Sequence, residues 1–354
     1  MYPEIEIRVK NIIKNAKLMS DIFKSNGKKL SLVTKCLVCD KIVVEKLVQN
    51  GIDIICEAHI QNLREYRDIK VEKWLIREPM PSQAEDVVRY CDVSLNSEIS
   101  TLNALNDEAK KQGKTHKVIL MYELGDLREG ADEKELEYLA TECLGMENIS
   151  LYGIGVNLSC YGTVLPDSTN MEELAMVAKN LEQKLGTKLA MVSGGNSTSF
   201  VMLKNGELPQ KINNLRMGES VFFGNVPCIE KPIEGFCTDN FVLRAQIVEI
   251  KDKPSVPRGN KGLSDALGEK PPVFEDKGIR KRALVAIGKQ DVSLDGLTPL
   301  DEEITILGGS SDYTILDITD SKKCYKVGDV VEFSPSYGSL LRLMGSNYVN
   351  RVYK

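Results

Sequence analysis

Residues 189–218 read LAMVSGGNSTSFVMLKNGELPQKINNLRMG. The opening apolar run, 189–193, has the length and composition of a strand buried on both faces. SGGNS breaks that run with small, turn-forming residues. Helical apolar spacing then occupies 197–205 and stops at Gly206, the residue type that ends helices in the left-handed conformation. A second short apolar run, 213–216, ends in Arg216-Met217-Gly218. Strand, glycine turn, helix and strand in succession form one βαβ unit, which calls for a parallel sheet covered by helices.

The same alternation extends through the first two thirds of the chain. Strands are predicted at 30–34, 52–56, 73–77, 92–96, 117–122, 151–157, 189–193 and 213–216. Helical patterns lie between them, at 40–49, 60–66, 97–111, 132–144, 170–185 and 197–205. Eight such units in about 225 residues match a closed (β/α)8 barrel in number and length. An open doubly wound sheet is the alternative, but it usually has fewer units and a glycine fingerprint after its first strand. The turn after the first predicted strand, TKCLVCD, contains no glycine.

Beyond about residue 235 the pattern changes. Strands are predicted at 241–250, 283–287, 304–307, 313–318 and 330–334, separated by Pro-, Gly- and Asp-rich turns and without a long amphipathic helix. The expected organisation is a barrel over 11–234 followed by a β-rich domain over 235–354, with the alternating EIEIRV of residues 1–10 packed in the second domain's sheet.

Composition narrows the function classes. With 42% hydrophobic and 27% charged residues of interspersed sign, the 354-residue chain has a globular profile. Its net charge of -5 and the absence of a basic stripe give no reason to expect nucleic acid. Runs such as Lys28-Lys29 and Arg280-Lys281-Arg282 read as solvated faces. No apolar run approaches the ~18 residues of a membrane span, and the first residues lack a secretory signal. The nine cysteines have no metal spacing, and the Cys36-x-x-Cys39 pair has no second pair to complete a zinc site. Reduced thiols in a cytoplasmic protein are the expectation.

In a barrel, function sits at the C-terminal ends of the strands. The first predicted strand ends in Val33-Thr34-Lys35-Cys36. A lysine there is either the start of a surface loop or a group that must be paired, titrated or covalently bound. The seventh ends in Ser193-Gly194-Gly195-Asn196-Ser197 and opens a helix, which suits either a plain helix cap or a phosphate held by free N–H groups. The eighth ends in Arg216-Met217-Gly218-Glu219. Adjacent strand ends rich in glycine at this place point to a phosphorylated ligand.

The motifs VTKC, LGDLREG, VSGGNS, LRMGESVFFG and a late SYG, in this order and spacing, resemble the alanine racemase group of fold-type III pyridoxal-phosphate enzymes, and within it the ornithine racemases. The resemblance covers nearly the whole chain, including GIGVNLSCYG and LGGSSDYTILDIT. It implies a pyridoxal-5'-phosphate cofactor carried by Lys35 as a Schiff base, the same lysine serving as one acid/base. Arg128 matches the arginine beside the cofactor's phenolic oxygen, and Asn157 stands where these enzymes carry a histidine beside the ring. Asn196, Ser197 and Gly218 match the phosphate-binding region, and Tyr337 matches the phosphate-binding tyrosine of the second domain. Arg216 matches the arginine at the pyridine nitrogen. A guanidinium only donates hydrogen bonds, so it holds that nitrogen as an unprotonated acceptor and weakens the ring as an electron sink.

The chain also departs from the pattern. The tyrosine four residues after the lysine is Cys39, and a methionine near the substrate is Ser311. The family's second acid/base is a tyrosine donated by the partner of a head-to-tail homodimer, and in that region this chain reads GLSDALGEK. Asp265 is its ionisable candidate, with an ordinary turn aspartate as the other reading. The tyrosine-free loop and Ser311 both make that end of the pocket more polar, which fits a longer, basic substrate better than alanine. The resemblance therefore implies racemisation of ornithine, with lysine second. The alternatives are alanine or broad specificity, a non-enzymatic single-barrel cofactor carrier, and a basic amino-acid decarboxylase. Metal-dependent relatives place a histidine and a cysteine close together in the second domain. Here His59 and His116 both lie in the barrel half, so no metal is expected and a supporting role is conceivable only for His59.

Overall fold

The computed structural model describes residues 1–229, 231–264, 267–270 and 272–354; Asp265 lies outside the described residues. The chain divides into two compact units, one of Asn11–Thr238 and one of Met1–Lys10 with Asp239–Lys354.

Strand β1 (Glu4–Ile7) and helix α1 (Val9–Ser25) come first. Eight parallel strands come next: β2 (Lys29–Val33), β3 (Ile54–Glu57), β4 (Glu72–Leu75), β5 (Val93–Asn96), β6 (His116–Met121), β7 (Ile149–Val156), β8 (Met191–Gly194) and β9 (Asn214–Met217). Helices α2 (Lys41–Gln49), α3 (Ile60–Glu65), α4 (Ala84–Tyr90), α5 (Ile99–Lys111), α6 (Glu133–Gly145), α7 (Ser168–Leu185) and α8 (Phe200–Asn205) alternate with them, and α9 (Glu219–Phe223) succeeds β9. β9 pairs with β2, from Lys29↔Asn214 to Leu32↔Met217, and so closes the barrel. All eight predicted strands form, within two residues at each end.

The barrel forms because alternate strand residues fill its interior. Ile54, Cys56, Trp74, Val93, Leu95, Ile119, Met121 and Met191 make one buried cluster, with Val33, Ile76 and Tyr152 packed against it. Each fully buried large apolar side chain contributes about 1.5–3 kcal/mol. Helix starts are set by acidic caps: Asp40 accepts from Val43 N, Asp132 from Glu135 N, and Asp167 forms a capping box with Asn170. A short hairpin of β10 (Asn225–Val226) and β11 (Lys231–Pro232) ends this unit.

The other unit is an antiparallel sheet in the order β14 (Leu297–Pro299), β17 (Val330–Pro335), β12 (Phe241–Pro254), β13 (Ile279–Val285), β16 (Thr314–Asp317), β15 (Thr305–Gly309). β1 pairs antiparallel with β12 and parallel with β18 (Asn350–Tyr353). Helices α1 and α4 and strands β14 and β18 lie outside the elements expected from the sequence, and one further element runs against that expectation. Residues Tyr337–Gly345 form helix α10, capped by Ser336. Serine and glycine in its first turn read as turn chemistry, and only the buried Leu340, Leu343 and Met344 carry helical spacing. Among the described residues, no helix is long and apolar enough to cross a membrane.

Candidate functional site

Parallel strands deliver all their C-terminal ends to one rim of the barrel. Lys35 lies just past β2 there, half-buried and at the start of a single 3-10 turn. The chain then bends sharply, with Val38 and Cys39 at φ 42° and 62°. A β-branched residue in that region is strained and holds only where its surroundings enforce it.

The ends of β8 and β9 form a compact polar cradle. Ser197 Oγ accepts from the backbone N–H of Gly218 at 3.1 Å and of Ser220 at 3.2 Å. Ser220 Oγ is buried and has no hydrogen-bond partner. Asn196 Oδ1 accepts from Thr198 N at 2.9 Å, and its Nδ2 donates to Leu158 O at 2.7 Å and Asn157 Oδ1 at 3.3 Å. Asn157 Nδ2 is likewise buried and unpartnered. Buried polar groups are nearly always satisfied, so these two unpartnered atoms, just past β7 and β9, mark a place that can take a polar ligand.

Arg216, at 4% exposure, lies inside the barrel wall. Its Nη1 donates to Ser193 Oγ at 2.6 Å and its Nη2 to Val156 O at 2.7 Å. Burial pulls the guanidinium down to about 10, which leaves it a cation at neutral pH. Among the described residues no carboxylate pairs with it. Gly155 makes the space: a Cβ there would lie 3.3 Å from Ser193 Cβ and 3.5 Å from Arg216 Nη1.

Two carboxylates hold the loops after β6 and β7. Glu123 accepts from the backbone N–H of Gly125, Leu127 and Arg128 at 2.5, 3.0 and 3.2 Å, folding the LGDLREG loop on itself. The buried Asp126 accepts from Cys160 N and Tyr161 N, both at 3.1 Å, and its carbonyl accepts from Gly162 N at 2.9 Å. Arg128 pairs with Glu129, and its Nη1 donates to Cys160 Sγ at 2.9 Å. Asp126→Ala is therefore expected to release the second loop. Hydrogen bonds to a charged acceptor contribute about 1.5–3 kcal/mol each, so exchange at the Cys160 and Tyr161 amides should rise by about 10²-fold or more. Unchanged protection at those amides would show that the loop is held by other contacts.

The rim also carries carboxylates, of which Glu57 and Glu78 lie outside the sequence motifs. Glu57, at the end of β3, is fully buried, and burial pushes its carboxyl up to about 7. Glu78, just past β4, accepts from Ser97 N at 3.0 Å and Ser97 Oγ at 3.1 Å; burial raises it to about 7, and Glu98 and Glu129 push the same way. Glu219 is raised by burial, and the charge of Lys35 opposes that rise. The signal available for Glu57 and Glu78 was their placement directly after apolar strand runs.

His116 is buried at the start of β6, its Nε2 2.8 Å from Ser94 Oγ, and burial lowers it to about 4. His59 precedes α3, lowered by burial with Arg77 and Lys35 nearby. Among the described residues, no three His, Cys, Asp or Glu side chains gather to hold a metal. Cys36 is fully buried, and burial pushes its thiol well above the usual range, which leaves a Cys36–Cys39 redox role unsupported. Tyr337 opens α10 in the sheet unit, and Ser311 Oγ donates to Asp312 in the same unit.

Residues 7–226 match the family described as "Alanine racemase, N-terminal domain". Ornithine racemase of Acetoanaerobium sticklandii is 45% identical over 99% of this chain and 99% of its own length. Lysine racemase of Thermotoga maritima is 36% identical over 100% of this chain and 99% of its own. Among solved structures, alanine racemase from Bartonella henselae with covalently bound pyridoxal phosphate superposes with a TM-score of 0.72 at 18% identity, covering 99% of each chain. At that identity the structural likeness speaks for the fold, whereas the family match over most of the barrel and the full-length sequence relatives speak for descent. With a closed barrel, a β-rich second unit and this rim, the chain belongs to the alanine racemase family.

Proposed function

We propose that this chain is a pyridoxal-phosphate-dependent racemase that interconverts L- and D-ornithine, working in the cytoplasm with its cysteines reduced. The 45% identity to an ornithine racemase along the full length carries the reading. The residues fit the cofactor. The unpartnered Ser220 Oγ and Asn157 Nδ2, with the N–H groups gathered at Ser197, suit a phosphate and an adjacent ring. Arg216 supplies a permanent donor for a ring nitrogen, Lys35 an amine for covalent attachment, and Arg128 a cation for the phenolic oxygen. Tyr337 is a further proposed phosphate ligand.

Pyridoxal phosphate, when bound, draws electrons from the amino acid's Cα and so makes the α-proton removable. The chain's own groups do the rest. Lys35 moves that proton on one face of Cα. Inversion requires a second acid/base opposite, for which we propose Asp265, supplied by a second copy in a head-to-tail homodimer. With Glu129 paired to Arg128, the rim carboxylates Glu78 and Glu98 suit a substrate with a second ammonium better than alanine. Lysine is the next candidate, since a lysine racemase is 36% identical.

The test is direct. Purified protein incubated with L-ornithine, L-lysine or L-alanine, followed by chiral separation, should give D-ornithine fastest; faster turnover of alanine would overturn the substrate assignment. In deuterium oxide, Asp265→Asn should slow α-proton exchange strongly from one enantiomer only. Balanced exchange from both would remove Asp265 from the chemistry.

A further inference from the structure

One fully buried carboxylate takes no part in these proton transfers or in holding the cofactor. Glu57 sits fully buried at the end of β3, a strand that is otherwise apolar, where an unsatisfied charge is costly. It is satisfied by two side chains, beside the backbone N–H of Ala58. Oε1 accepts from the Thr34 hydroxyl at 2.6 Å, and Oε2 accepts from Asn62 Nδ2 at 3.0 Å. Thr34 is fully buried as well, and its backbone N–H donates to Cys56 O at 3.0 Å. One carboxylate thereby ties together β3, the first turn of α3 and the residue immediately before Lys35.

Four residues beyond Thr34 the chain enters the strained bend at Val38 and Cys39. The direction in which Lys35 leaves the wall is therefore set by anchors on either side of a short turn, with Asp40 capping α2 beyond it. Thr34 is the upstream anchor, and its hydroxyl is held by Glu57. The charged and titratable groups around Glu57 are Lys35, which favours its ionised form, and the thiols of Cys36 and Cys56, whose ionisation it disfavours. A plain fold strut has no need of a carboxylate here, since an apolar pair of similar volume is often equally stable.

We propose that Glu57 is a positioning residue: acting through the Thr34 hydroxyl, it fixes the direction from which Lys35 is presented at the barrel rim. The inference rests on the reading of Lys35 as the cofactor-bearing acid/base. A displacement of 1 Å in a reacting group can cost about 10²-fold in rate, so small changes at Thr34 are enough to be measured.

The test uses the cofactor-loaded protein and the variants Glu57→Ala, Thr34→Val and Glu57→Gln. Glu57→Ala and Thr34→Val should each lower kcat by about 10- to 100-fold, with KM little changed. The double variant should be no slower than the slower single one, because both act along one path. Glu57→Gln can still accept from Thr34 while Asn62 turns its own carbonyl to the new amide, so it should regain most of kcat. The visible circular dichroism of the bound cofactor reports the orientation of that group. It should change in Thr34→Val and Glu57→Ala and return in Glu57→Gln, whereas a strut would move only the melting temperature. Wild-type kcat and unchanged dichroism in Thr34→Val overturn the proposal even if Glu57→Ala fails to fold, and so do additive losses in the double variant. Lys35→Ala separates the failure of the proposal from that of the reading beneath it. Turnover surviving there removes the reading of Lys35, whereas its loss there beside wild-type kcat in Thr34→Val removes only the role of Glu57.

Discussion

Lys35→Ala is expected to lower racemisation by about 10²–10⁴-fold or more, the range that a positioned acid/base supplies. The same variant should lose the covalent hold on the cofactor. Wild-type protein should show a visible absorbance band that borohydride abolishes while fixing the cofactor permanently to the chain; in the variant, gel filtration should separate cofactor from protein after the same treatment. These two losses come from one side chain because Lys28 and Lys73 lie at the opposite, N-terminal ends of β2 and β4 and are engaged there: Lys28 donates to the carbonyls of Pro209 and Ile212, and Lys73 to those of Ile69 and Val71. Wild-type turnover in Lys35→Ala would end the assignment. Retained covalent cofactor in an inactive variant would mean that another amine carries it.

Gly153→Ala should have the largest effect on the fold. Gly153 lies in β7, opposite Met191 of β8. A Cβ there would stand 1.8 Å from Met191 O and 2.6 Å from its carbonyl carbon, and both of those atoms are backbone. Neither strand can yield without breaking the β7–β8 ladder. Overpacking of side chains costs about 1–3 kcal/mol, and a clash with backbone should exceed that, to about 4–5 kcal/mol. Soluble yield should collapse, and any recovered protein should melt well below the wild type. The control is Gly186→Ala at the end of α7, where φ is 64° but nothing lies within 4 Å of the added Cβ; that change should cost about 1 kcal/mol. Equal melting temperatures for the two variants would show that the barrel relaxes around residue 153.

The difference between what the sequence disclosed and what it hid is one of range. Strands β2 to β9 were legible because burial on both faces leaves short apolar runs, and each run is local. The cradle at Ser197 and Gly218 was legible for the same reason, since small residues directly after a strand announce close backbone approach. Glu57 and Asp126 were not. Nothing in its own segment tells what either acid binds, since their partners lie 23 and 34 residues away, at Thr34 and Cys160. Helix α10 was hidden by a different effect. Ser336, Gly338 and Ser339 look like a turn, yet Ser336 serves as the cap of the helix that begins at Tyr337.

The pairing of β1 with β18 bears on the order in which the molecule can be made. Residues 4–7 lie beside residues 350–353, and β12, their other neighbour, begins at Phe241. A chain emerging from the ribosome therefore exposes its first strand while the whole barrel sequence is synthesised behind it. The barrel strands, all between Lys29 and Met217, have every neighbour in hand before β12 appears. Domains fold as units during synthesis, and long-range pairings form last. The barrel thus matures first, and β1 is locked in place only once β12 and β18 have been made.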